Sequence, residues 1–297
     1  MLIVLFQTRY HILQYKRNML KTTRYLLLLI LLGIVGLASC EHEISFDYPP
    51  ADTMVVFDGV ISNEGVNIRI SHTRAIGEKE LSQPVSNAQV WIVTDDGKEE
   101  QLAYDEQKGA YTSVAGLVGI PGHKYQMKAI LDGHHYEASS TMQEAVTIDT
   151  VFFRSVKLLS ERMFLYCVKG LDPRQDSRLY YLCKLMRGDK VFRWNPRSGR
   201  SVIDGVFEYD IICSSERDMD KGIDDDGKVP LMEGDTIRME LLTIDRESWD
   251  FYQSLMASEL TTANPLSNVK GGAMGVFVAA GITRPDTIVF EKSKALN

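Results

Sequence analysis

The sequence contains few of the residue patterns that mark a catalytic centre. It has four cysteines and no Cys-x-x-Cys pair, and none of its six histidines has a recognisable ligand spacing, which argues against the common zinc sites. It also has no Gly-x-Ser-x-Gly nucleophile elbow and no Walker-type phosphate loop. No enzyme class is therefore indicated by motif.

Basic residues are also scarce. Residues 1–39 contain five Lys or Arg and no Asp or Glu, so the rest of the chain carries 28 basic and 40 acidic residues, a net charge of −12. A nucleic-acid partner would require a basic face to meet its phosphates. The charge balance argues against such a partner.

No apolar run reaches the roughly 20 residues that a membrane-spanning helix needs. The longest, residues 26–37, is preceded by Lys21 and Arg24 and followed by acidic residues. This pattern is typical of a secretory signal peptide, here residues 1–39, and Met19 would start a leader of ordinary length.

The apolar run ends in four residues that resemble the lipobox of bacterial lipoproteins: Leu37, Ala38, Ser39 and Cys40. The resemblance implies cleavage before Cys40 and acylation of Cys40 with palmitate-type chains. Because two or three chains bind far more tightly than one, we expect a lipid-anchored protein in which residues 40–53 form a tether. The acidic residues directly after Cys40 resemble the signals that direct some Gram-negative lipoproteins to the outer face of the outer membrane, and the periplasmic face is the alternative.

Beyond the tether, short alternating strands separated by turn residues predict a mainly β protein. Residues 54–144 fit an Ig-like or transthyretin-like β-sandwich, with hairpin signals at Asp96-Gly97 and Asp132-Gly133. Residues 148–290 predict a second β-rich domain, and residues 291–297 a charged tail. One amphipathic helix is expected at residues 245–260, with Asp245 as its N-cap.

Several segments in a fixed order are similar to the family called domain of unknown function 4249, which comprises outer-membrane-associated lipoproteins of Gram-negative bacteria. These segments are the lipobox and residues 55–61, 85–90, 109–111, 121–125, 233–237 and 264–277. The resemblance implies a role at the cell envelope beside TonB-dependent receptors. It supplies no catalytic residues.

One acidic stretch could bind Ca²⁺ through the carboxylates of Asp218, Asp220, Asp224 and Asp226. Its spacing departs from the EF-hand pattern, and a solvated acidic turn is the alternative. No other cofactor is predicted.

Three cysteines follow Cys40, each inside a predicted strand. A disulfide between Cys167 and Cys183 would form if their strands were neighbours, with Cys213 as a free thiol. Three buried thiols are the alternative, because cysteine is often fully buried.

Residues 271–275, Gly-Gly-Ala-Met-Gly, precede a predicted strand, whereas a phosphate loop opens a helix. We interpret them as a turn that lets two backbones approach closely.

Together these features favour a non-enzymatic envelope lipoprotein, an accessory or ligand-capture subunit beside an outer-membrane receptor. A structural adhesin or fimbrillin-like pilus subunit is the alternative, and an unrecognised hydrolytic or metal-dependent enzyme comes third.

Overall fold

The computed structural model describes residues 53–74, 82–172, 179–199, 205–224, 227–258 and 263–296. The fold is mainly β, as predicted. The signal peptide, the lipobox and the tether up to residue 52 lie outside the described residues.

The first β region is a sandwich of two sheets around one apolar core. One sheet contains β1 (Val55–Ser62), β2 (Gly65–His72), β5 (Ala103–Asp105) and β6 (Ala110–Thr112) in the order β1-β2-β6-β5. The other contains β3 (Gln89–Thr94), β4 (Glu99–Gln101), β7 (Lys124–Leu131) and β8 (His134–Thr141) in the order β4-β3-β7-β8. Alternate residues point inward, so Phe57, Ile61, Ile68, Ile92 and Met127 are buried between the sheets.

The second β region repeats this plan around a core of its own. A three-stranded sheet contains β9 (Thr147–Leu158), β10 (Glu161–Leu171) and β13 (Val206–Ser215), with β10 in the centre. The facing strands are β11 (Tyr180–Arg187), β12 (Lys190–Ser198), β14 (Thr236–Ile244) and the short β16 (Ile288–Val289). Tyr166, Tyr181, Phe207, Leu241 and Phe290 fill the space between.

Strand β15 (Met274–Thr283) joins the two regions. Its residues 274–280 pair with β1 in parallel, whereas residues 281–283 pair with β14 in the antiparallel sense. The result is a nine-stranded sheet with strands from both predicted domains, and Pro50–Asn297 is one compact unit. The boundary predicted at residues 145–147 therefore separates two cores but not two sheets.

Helix α1 (Glu216–Lys221) and helix α2 (Arg246–Ser258) are the two α-helices in the described part of the chain. Asp245 caps α2 as predicted: its Oδ1 accepts a hydrogen bond from the Ser248 N–H, 2.9 Å. The helix packs on the outer face of the large sheet, where Phe251 meets Leu182, Leu242 and Val278.

The predicted charged tail packs against the second region. After a 3₁₀ turn at Lys292–Lys294, the Leu296 carbonyl accepts from the Ser155 N–H of β9, 2.6 Å, and the Leu296 N–H donates to the Phe153 carbonyl, 3.0 Å. Residues 291–296 are thus part of the folded unit.

Candidate functional site

A groove of about 650 Å³ lies on the outer face of the large sheet, where β14, β15, β1 and β2 run side by side. The stagger of β15 shapes it, because β14 and β15 overlap over only three residue pairs. Outward-pointing residues from both halves of the sheet therefore line one depression.

The floor of the groove is aliphatic and its walls come from two different elements. Val60, Leu242, Val278 and Ile282 lie at its base, where Leu242 and Val278 are buried and Val60 and Ile282 are partly exposed. Tyr252 of α2 lines one side, and the loop of residues 113–118 lines another.

The loop at residues 113–118 is held by one carboxylate. Glu100 Oε1 accepts hydrogen bonds from the Ser113 hydroxyl, 2.7 Å, and from the N–H groups of Val114 and Ala115, both 3.1 Å. The Leu117 N–H donates to the Ser113 hydroxyl oxygen, 2.6 Å. This wall is therefore fixed before any ligand arrives.

At one end of the groove, one guanidinium pairs with two carboxylates. Arg284 pairs with Glu64 and, at 3.1 Å, with Glu240. Burial lowers the pKa of the Arg284 guanidinium. The cluster ties the β1–β2 turn to β14.

Two other charges in the groove have no ion pair or hydrogen bond to another described residue: the carboxylate of Asp58 on β1 and the ammonium of Lys184 on β11. Burial, and then the charge of Asp58, raises the pKa of Tyr252, so its phenol stays a neutral donor. A carboxylate, a phenol and an ammonium are therefore free to meet a ligand.

The sequence indicated none of these residues. Asp58, Lys184 and Tyr252 belong to three elements that are distant in the chain, and no local motif contains two of them. The pairing of β1 with β15 brings them to one face, and that pairing has no short-range signature.

The predicted lipidation site, Cys40 within Leu37, Ala38, Ser39 and Cys40, lies outside the described residues and stays a prediction. No helix in the described part of the chain has the length and hydropathy of a membrane span.

The four carboxylates of the predicted calcium site have different surroundings. Asp218 and Asp220 lie on α1, and Asp218 Oδ1 is 3.8 Å from Arg217 Nε. Asp224 accepts from Arg193, 2.8 Å, and from the Lys228 N–H, 2.7 Å, while Asp226 lies outside the described residues. No three potential metal ligands come together among the residues that are described, and the complete site stays a prediction.

The predicted disulfide between Cys167 and Cys183 is wrong, because both are free thiols, as is Cys213. Cys183 points into the second core, whereas Cys167 alternates with the core residues Tyr166 and Val168 and points to the opposite face of its sheet. Burial is the main cause that raises the pKa of each of the three thiols to about 12.

The close approach predicted at residues 271–275 is confirmed. Gly275 has φ +108°, and a Cβ there would lie 1.9 Å from the Phe57 carbonyl oxygen. Gly271 has φ +102°, and its Cβ would lie 2.2 Å from the His135 carbonyl oxygen. Only glycine fits at these contacts with β1 and β8.

Comparison with known proteins gives a family match and a similarity to solved structures. The model of a family described as "Domain of unknown function (DUF4249)" matches residues 41–285. No curated protein matches the sequence. Among solved structures, the alpha chain of the chicken interferon gamma receptor is similar, with 9% identity and a TM-score of 0.20, covering 65% of this chain and 90% of that one.

Proposed function

Because the chain belongs to the family Domain of unknown function (DUF4249), we propose that it is a non-enzymatic, lipid-anchored protein of the cell envelope that captures a ligand for an outer-membrane receptor. One observation carries the ligand-capture part: the groove on the large sheet presents a carboxylate, Asp58, and an ammonium, Lys184, that have no ion pair with another described residue. Unpaired charges on a concave surface select a partner with complementary charges. The lipobox resemblance supports the anchor, and Cys40 is its acylated residue.

The strand arrangement favours capture over the fimbrillin-like alternative. Polymerisation by strand exchange needs a terminal strand that can be displaced. Here β1 lies between β15 and β2, and β16 has two residues. Neither matches a donor strand.

The anchor is tested by fractionating cells that express Cys40→Ala. The variant moves from the membrane fraction to the soluble fraction, whereas Cys167→Ala, which removes a buried thiol, stays with the membrane. Unchanged fractionation of Cys40→Ala rejects lipidation.

The capture role is tested by native mass spectrometry of the protein isolated from membranes. We expect a bound small ligand in the wild type and its loss in the double variant Asp58→Asn, Lys184→Gln. An empty wild-type protein contradicts ligand capture.

The receptor is tested by affinity capture from detergent-solubilised membranes. Recovery of a TonB-dependent receptor is expected, whereas ladders of the protein itself support the structural alternative.

A further inference from the structure

The turn between β9 and β10 exposes two adjacent leucines. Leu158 pairs with Glu161, so residues 159 and 160 form a two-residue hairpin turn. Leu159 is 94% exposed and Leu158 is 58% exposed. We call these two side chains the leucine tip. Burial of the leucine tip against an apolar partner would be favourable, because each leucine would leave water.

The backbone at Leu159 is unfavourable for leucine. Its φ is +56°, in the left-handed region where a Cβ is strained. Two other hairpins have the same two-residue turn, and their first turn positions hold Asp132 with φ +49° and Gly188 with φ +59°. Aspartate and glycine tolerate this conformation better than leucine does. Leu159 is therefore strained and exposed at once, and it adds no packing to the fold.

Two cations lie directly behind the leucine tip. Lys157 and Arg162 are opposite each other in the register of β9 and β10, and both are exposed. Like charges in this position repel each other. Residues 40–297 carry a net charge of −12, yet no described carboxylate forms an ion pair with either cation. We call Lys157 and Arg162 the basic pair, and it is left for an anion outside the described chain.

The carboxylate of the hairpin itself does not neutralise the basic pair. Glu161 Oε1 is 3.6 Å from the Arg217 Nε of α1, which is also 3.8 Å from Asp218 Oδ1. Glu161 is thus directed to the neighbouring helix. Residues 156–163 contain two cations and one carboxylate, so the end of the hairpin has a net positive charge.

We propose that the β9–β10 turn inserts into a lipid bilayer, with the leucine tip among the acyl chains and the basic pair at anionic headgroups. The proposal goes beyond the proposed function, because it adds a membrane contact made by the folded body. A bilayer presents an apolar interior beneath a layer of phosphates, which is the order of the leucines and cations along the hairpin. An apolar pocket on a protein would accept the leucines without neutralising the basic pair.

The lipid anchor makes a weak contact of this kind sufficient. Two leucines alone give marginal membrane binding. The 13 residues 41–53 span at most about 45 Å, so an acylated Cys40 keeps the body beside the bilayer at a high effective concentration.

The test uses the acylated protein reconstituted in vesicles that contain phosphatidylglycerol. The fluorophore NBD is attached to Ser160→Cys, which keeps both leucines, whereas Cys167, Cys183 and Cys213 are buried from the label. We expect blue-shifted emission and quenching by brominated acyl chains. The same label on Asp189→Cys, the equivalent position of the β11–β12 turn, should report water.

Substitutions separate the leucine tip from the basic pair. Leu159→Gly should lower the ratio of inserted to free turns about tenfold and should raise the melting temperature, because glycine accepts the positive φ. Lys157→Gln and Arg162→Gln should each lower insertion about fivefold in anionic vesicles and leave it unchanged in phosphatidylcholine alone. Lys190→Gln at the β11–β12 turn is the matched control and should change neither quantity.

A bound protein whose Ser160 probe stays in water overturns the proposal and leaves the anchor intact. A melting temperature that falls in Leu159→Gly also overturns it, because the leucine would then serve the fold. If the probe reports an apolar contact in native membranes but not in lipid vesicles, the leucine tip binds a protein and the lipid assignment fails. A protein that is absent from the vesicles contradicts both the inserted turn and the anchor.

Discussion

At the scale of single residues, Asn268 replaces a missing strand. β14 reaches only residues 281–283 of β15, so the same edge of β15 needs other partners further back. The Asn268 amide accepts from the Phe277 N–H, 2.9 Å, and donates to the Phe277 carbonyl, 2.8 Å. Its side chain thus makes the two bonds that a neighbouring strand would make.

Asn268→Ala should therefore lower the free energy of unfolding by about 2–4 kcal/mol, because it leaves a buried donor and acceptor of Phe277 unpaired. Urea unfolding measures the loss. Asn67→Ala, which removes an exposed amide of the same type, should change stability by about 0.5 kcal/mol or less. Equal effects at the two positions would contradict the strand-replacing role of Asn268.

The three buried thiols make the fold sensitive to alkali. Each has its pKa raised from 9.0 to about 12, so the protonated thiol favours the folded state fully below pH 9 and that contribution is lost as the pH rises from 9 to 12. In this window the ionisation of each thiol in the unfolded chain should lower the free energy of unfolding by up to about 1.4 kcal/mol per pH unit.

Urea unfolding at pH 8 and pH 10 tests this, with Cys183→Ala as the variant. The gap in stability between wild type and variant should narrow at pH 10, because the variant has one group fewer to ionise. A gap that is constant with pH would show that Cys183 is not kept protonated by burial.

The predicted calcium site can be decided by melting the protein with added Ca²⁺ and with a chelator. Since Asp224 is already bonded to Arg193, we expect the same melting temperature in both. A higher melting temperature with Ca²⁺, abolished by Asp220→Asn, would support the four-carboxylate prediction.

At the scale of elements, Asp245 couples α2 to two strands. Besides capping the helix, its Oδ2 accepts from the Ser140 hydroxyl, 2.7 Å, and from the Thr141 N–H, 2.9 Å, at the end of β8. The Ser140 oxygen in turn accepts from the Ala279 N–H of β15, 2.8 Å. One carboxylate thus links the helix, β8 and β15.

Asp245→Ala should cost about 2–4 kcal/mol of unfolding free energy, since it removes a helix cap worth about 1 kcal/mol and leaves buried partners unsatisfied. Asp245→Asn keeps a capping oxygen and should cost less. Asp220→Ala, exposed on α1, is the control and should have little effect in the same urea titration. A loss no larger than that of a simple cap would mean that the bonds to β8 contribute nothing.

The sequence predicted the helix after Asp245 and the β-rich character of the second region, because their apolar periods are strong. It did not predict α1, whose six residues are mostly charged and carry one buried side chain, Met219. It also did not predict β12, where Pro196 weakens the strand signal, although an edge strand tolerates proline.

At the scale of the whole molecule, two apolar cores share one sheet. Each core alone was visible in the sequence as a run of alternating strands. The sharing was not, because β15 is separated from β1 by most of the chain. For the same reason the groove could not be predicted, since its residues meet only after β15 has joined both halves.

The shared sheet predicts a single cooperative thermal transition for the body of the protein. In differential scanning calorimetry the calorimetric and van't Hoff enthalpies should agree, whereas two independent domains would give two transitions.

Gly281→Ala tests the point where β15 begins to pair with β14. A Cβ at residue 281 would lie 2.5 Å from the Ala145 N and 2.6 Å from the Gln143 carbonyl oxygen. The substitution should lower the melting temperature more than Gly59→Ala, whose Cβ would meet only side chains, at 3.2 Å or more.

The pairing of β1 with β15 also determines when the chain can fold. Val56 pairs with Met274, so one of the first strands to leave the ribosome waits for one of the last before its hydrogen bonds are complete. Contacts of such long range slow folding and leave strand edges open in the meantime. A nascent or truncated chain that stops before residue 274 therefore has an exposed β1 edge, and quality-control factors would meet this protein as an incomplete sheet until synthesis is nearly finished.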